Sequence, residues 1–120
     1  MFDSKQLQVR LEVALGPEVT RHHVTFRPMF GGITGYARGR NFVSLSNVGL
    51  ALKLDAPDRE RLLAVAGAKP LQYEPQGPVS KSSVVVPKDM LNDDAQLRNW
   101  ALKSIVYCEA LPKARRRPRR

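Results

Sequence analysis

Between Phe26 and Phe42 the chain reads FRPMFGGITGYARGRNF, which sets four glycines, three arginines and four aromatic rings in seventeen residues. Such a stretch suits one of two chemistries: a loop that cradles phosphate, or a basic finger that meets nucleic acid. A phosphate loop ends in Gly-Lys-Ser/Thr, so that a lysine and a hydroxyl reach phosphate and Mg²⁺. Here Gly31-Gly32 runs into Ile33-Thr34-Gly35 with no lysine, and the residues that follow read as a strand. A dinucleotide fingerprint fails too, because its glycines must open a helix. The glycines read instead as a bend between short strands that lets a second backbone come close.

Other reactive groups stand alone. His22 and His23 are adjacent, and adjacent side chains diverge in a helix or a strand. A solvated connector is expected there rather than a metal site. Cys108 is the lone cysteine, so neither an intramolecular disulfide nor a cysteine zinc cluster is available, which suits a reducing cytoplasm. Its helical spacing from Trp100 and Ile105 marks it as a core residue. Asp93 and Asp94 suit a helix start and have no partner for paired-carboxylate chemistry. Nothing assembles a nucleophile, a base and an oxyanion site. No enzyme, cofactor or metal is expected.

The basic finger survives in reduced form. Arg38 and Arg40 fall at a hairpin tip, with Tyr36 read as sharing a strand face with Arg38. The net charge is +9, yet the final KARRRPRR carries six of those charges and no acid. Without it, 14 basic and 11 acidic residues leave a body near +3. A basic block interrupted by Pro118 has nothing apolar to bury, so residues 112–120 are expected to be a disordered tail. Weak, salt-dependent contact with nucleic acid is expected through Arg38, Arg40, Lys113, Arg115, Arg116, Arg117, Arg119 and Arg120. No apolar run approaches the ~20 residues that span a bilayer, and the N-terminus has no secretory pattern. A cytoplasmic protein without a membrane partner is expected.

The elements that position these residues follow from periodicity. Asp3 reads as an N-cap, with Leu7, Leu11, Ala14 and Leu15 on one helical face and Gly16-Pro17 as its end. VTFRPMF is extended but interrupted by Pro28, which suggests an edge. ITGYAR, NFVSLS and LALKLD form an antiparallel meander of three or four strands, with Gly39 in a tight hairpin. Asp55 caps a second helix with Leu62, Leu63 and Ala66 on its apolar side and Gly67 at its end. PLQYE and SSVVV follow as short strands, and KDML as a single turn. A last helix, capped by Asn92 or Asp93, carries the stripe Leu97, Trp100, Ala101, Ser104, Ile105, Cys108, Leu111. The order predicts one α+β domain over residues 1–111, in two layers, as α-β(3–4)-α-β(2)-α.

The quoted motifs also carry a resemblance. MFGG (Met29, Phe30, Gly31, Gly32), LALKLD, Arg59, Gly67, PLQYE, Val86-Pro87, Leu91 and LRNWA, which contains Trp100, occur in an order and spacing that resemble the N-terminal domain of the TfoX/Sxy family. These are regulators of competence for DNA uptake in bacteria. The resemblance implies a secretion-chaperone-like α+β fold in which MFGG is structural, with Met29 and Phe30 packed inward. It also implies a non-catalytic regulatory role in transcription, here as a stand-alone N-terminal domain. The alternative is a protein–protein interaction module that binds a regulatory protein or a second copy as a homodimer.

Overall fold

The computed structural model describes residues 2–29 and 31–111. Helix α1 (Ser4–Leu15) begins where the Asp3 carboxylate accepts the backbone N–H groups of Lys5 and Gln6. It ends at Gly16, whose φ of 55° is costly for other residues. A single turn, α2 (Glu18–Arg21), follows within the segment read as a connector. Four residues show no apolar period, so nothing in the pattern announces it.

Six antiparallel strands form one sheet: β1 (Val24–Met29), β2 (Gly32–Ala37), β3 (Arg40–Ser46), β4 (Gly49–Lys53), β5 (Lys69–Pro70) and β6 (Ser83–Val85). Their spatial order is β1-β2-β3-β4-β6-β5. The first four are the expected meander, and β6 joins it beside β4 after helix α3 (Ala56–Leu63). PLQYE contributes only its first residue, in β5, since Pro70 cannot donate to a ladder and is confined to the sheet edge. Helix α3 is capped by Asp55 as expected. It stops at Leu63, however, four residues before Gly67, and Ala66 is exposed rather than packed. A 3₁₀ turn (Lys88–Asn92) leads into helix α4 (Asp94–Ala110), capped by Asp93.

The helices cover one face of the sheet, giving the two-layer α+β domain read from the sequence. Leu7, Leu11, Phe42, Val43, Leu45, Leu50, Leu52, Leu97 and Ile105 share that core, and Leu62 of α3 joins it. Arg10 of α1 donates to the Leu91 carbonyl and pairs with Asp94, binding α1 to the start of α4.

Ser104 is the polar exception in this core, with no exposed surface. The β3–β4 ladder ends at Val43 opposite Leu52, leaving the carbonyls of Phe42 and Lys53 just beyond it. Ser104 Oγ lies 2.9 Å from the first and 2.7 Å from the second. Its single proton serves one carbonyl at a time. Trp100, expected within the buried stripe, packs against the core but remains partly exposed. Its indole lies at the edge of the helical face, with the Lys103 ammonium 5.8 Å from its ring.

Two outcomes follow for denaturation experiments. Phe42→Ala should cost about 3–5 kcal/mol, and Trp100→Ala should cost less because part of its surface is already wet. Ser104→Ala should cost about 1–3 kcal/mol by orphaning buried carbonyls.

Candidate nucleic-acid interface

Arg38 and Gly39 are the two central residues of the β2–β3 hairpin, with φ of 51° and 80°. Positive φ at both is the tight-hairpin geometry whose twist matches the flanking strands. The Arg38 side chain turns towards the helical layer. Its Nε lies 3.1 Å from the Glu109 carboxylate, and a terminal N–H donates to the Arg21 carbonyl at 2.9 Å. Arg40 Nε donates to the Leu111 carbonyl at 3.0 Å. Both cations therefore sit at the C-terminal end of α4, where the helix dipole favours positive charge. Arg38 does not share a face with Tyr36, because the turn residue leaves the strand's alternation. Tyr36 points outward instead, beneath the Arg27 guanidinium at 5.7 Å.

His22 belongs to the same corner. Its Nδ1 is 2.8 Å from Glu109 and its Nε2 3.4 Å from Glu18, which also pairs with Arg21. It is a partnered, half-buried histidine rather than a solvated one, and its two carboxylates approach opposite ring nitrogens. Among the described residues, no group of three or more His, Cys, Asp or Glu converges on a metal position. Lys113, Arg115, Arg116, Arg117, Arg119 and Arg120 lie outside the described residues. Leu111, the last described residue, lies beside Arg40.

The glycine motif is a hinge between strands. Gly31 has φ of 81°, and a Cβ on Gly32 would stand 2.5 Å from the Leu45 carbonyl oxygen. The close backbone approach read from the sequence is thus present. Met29 differs from expectation: it faces outward, 41% exposed, with its sulfur 3.7 Å from the Thr34 hydroxyl. The alternation places it opposite the core, because Val24 and Phe26 take the inward positions of β1. Phe30 lies outside the described residues.

The other face of the sheet carries a groove of about 600 Å³, whose lining includes Thr34, Ser44, Ser46, Lys53, Leu71 and Tyr73. Leu71 packs on Ala51 and Val85, which folds the β5–β6 loop over this face. Arg59 of α3 donates to the Ser80 carbonyl in that loop. Tyr73 reaches across to β3, its hydroxyl 2.7 Å from Ser44 Oγ. The sequence reading missed this face. Its signal was the period-2 run of hydroxyls and small residues opposite Ile33, Val43, Leu45, Leu50 and Leu52.

With this geometry the comparison with protein families is direct. The model of the TfoX N-terminal domain matches residues 19–106. The chain belongs to the TfoX N-terminal domain family. The matched stretch holds the whole TfoX-type sheet, the Met29–Gly32 turn, the outer groove and most of α4 through Trp100. Glu109 and Leu111, the helical half of the arginine corner, lie beyond it. No curated protein matches the chain. Among the described residues, no helix is long and apolar enough to cross a membrane.

Cys108 is fully buried on α4, and burial pushes its thiol above the ordinary value of 9.0. The fold holds this proton more tightly than the unfolded chain does. The resulting stabilisation is therefore intact below the unfolded thiol's pKa and is lost as pH rises through the folded one. Native protein should resist a thiol-modifying reagent at neutral pH and react promptly in denaturant, as followed by mass spectrometry; rapid native labelling would contradict the burial of this face of α4.

Proposed function

We propose that this chain is a non-catalytic, cytoplasmic regulatory module of the TfoX type. It acts in competence-related transcriptional control and holds nucleic acid non-specifically through its basic tail. The observation that carries this reading is the hydrogen bond from Arg40 to the Leu111 carbonyl. It sets Leu111, from which the chain continues into the six-charge sequence, beside the corner that holds Arg38 and Arg21. Arg38 spends two of a guanidinium's five donors within the fold and is 48% exposed, leaving donors free for a phosphate. Family membership supports the regulatory part of this reading.

A second reading, a protein-interaction module that pairs with another copy, is supported by β1. Among the described residues, that strand ends the sheet and no further strand pairs with it. Pro28 and Arg27 within it are features that restrain such pairing, and a monomer in sedimentation would remove this reading.

Binding to duplex DNA across a salt series tests the first. If six tail charges each neutralise a phosphate, log K falls with log salt at a slope near roughly −5. A chain ended after Pro112 should lose most of both affinity and slope, and Arg38→Glu/Arg40→Glu a smaller share. Absence of binding by the intact chain at low salt would refute the nucleic-acid role.

A further inference from the structure

The acidic residues of the folded body are kept out of the strands. Of the chain's 11 acidic residues, ten lie in helices, in the 3₁₀ turn or at helix caps, and the other is Glu74 in the β5–β6 loop. No strand contains an acid. The register sets Arg27 on the outer face with Thr34, and Lys69 on it with Val85, while Lys53 lines the groove. The ionisable side chains that strands place on this face, apart from tyrosine, are all cationic.

Two aromatic rings accompany them. Tyr73 stands over Ser44, 57% exposed. Tyr36 stands two residues beyond Thr34, the partner of Ser44, past a bulge in the β2–β3 pairing. Arg27 lies over Tyr36, and an arginine plane accepts a stacked base as a ring does. In the groove beside Tyr73, the Lys53 ammonium offers donors to phosphates and base edges.

We propose that this outer face binds single-stranded nucleic acid, with unpaired bases stacking on Tyr73 and on the Tyr36–Arg27 pair. The groove, with Lys53 and Tyr73 and no carboxylate among its lining residues, and the Arg27–Tyr36 pair on the same face together have the features that let a protein hold a strand with little regard to sequence. A duplex hides its base faces and cannot use such platforms. The site is distinct from the tail contact proposed above and does not depend on it.

Fluorescence anisotropy with intact chain and labelled oligo(dT) and oligo(U) of about 15 nucleotides tests this, with a duplex of equal length alongside. The single strands should bind more tightly than the duplex. Tyr36→Ala and Tyr73→Ala should each weaken single-strand binding by roughly five- to hundredfold and leave duplex binding unchanged. Tyr73→Phe keeps the ring, loses the Ser44 hydrogen bond, and should bind as the parent does. Unfolding curves for each variant separate loss of binding from loss of fold. Neutralising the tail by Arg115→Gln/Arg116→Gln/Arg117→Gln should lower both affinities and preserve the preference for single strands. The proposal is overturned if folded tyrosine variants bind as the parent does. It also fails if the duplex binds as well as oligo(dT), or if tail neutralisation abolishes the single-strand preference.

Discussion

The arrangement of the whole helical layer depends on how closely α4 can approach the sheet, and Ser104 sets that distance. At the point where β3 and β4 stop pairing, two carbonyls face the interior, where water cannot satisfy them. A small residue on α4 lets the helix come close, and its hydroxyl meets both oxygens. A larger apolar residue would push the helix away, and a smaller one would leave the carbonyls bare. With α4 held at mid-length, its start is available to Arg10 and its end falls beside the hairpin tip, where Arg38 and Arg40 can reach it. The arginine corner is therefore a consequence of core packing as much as of charge.

The separation of acids from strands has a local origin. Asp3, Asp55 and Asp93 accept the free N–H groups at helix starts, and others sit in first turns where the dipole favours them. Donors at the Gln96 backbone and side chain hold the Asp93 carboxyl below its ordinary range. Helix ends thus use negative charge that a strand has no comparable need for. Strand positions away from the core take hydroxyls and small residues, and charge there arrives only as arginine or lysine. A sheet face without negative charge results from these separate local requirements.

Much of this was legible in the sequence, and the exceptions share a cause. Long periodic elements such as α1 and α4, capped by Asp3 and Asp93, follow from patterns that repeat over several turns. The meander was legible because its hairpins are short and its inward residues alternate. Short elements were not: α2 offers one turn, and β5 is reduced to two residues by Pro70. Side-chain direction failed where a position departs from regular alternation. Arg38 lies in a turn with positive φ, so it reaches α4 while Tyr36 faces away. Trp100 belongs to the right helical stripe but to its margin, a distinction of a few tens of degrees that spacing cannot draw. The groove went unseen because Tyr73 reaches it from an irregular loop, and no period links Tyr73 to Ser44.

The absence of acids from the strands has a further consequence for motion before contact. The outer sheet face, with Arg27, Lys53 and Lys69 and no strand acid, is net positive, whereas the helical layer holds acids and bases side by side. In the field of a polyanion such a molecule experiences a torque as well as an attraction, so it turns while it diffuses and arrives sheet side first. The orientation is set at distances within about one Debye length, roughly 8 Å at physiological ionic strength. Collisions in the wrong orientation are then corrected before they are lost. The helical layer, where acids and bases are mixed, leaves the sheet face to set the direction of approach.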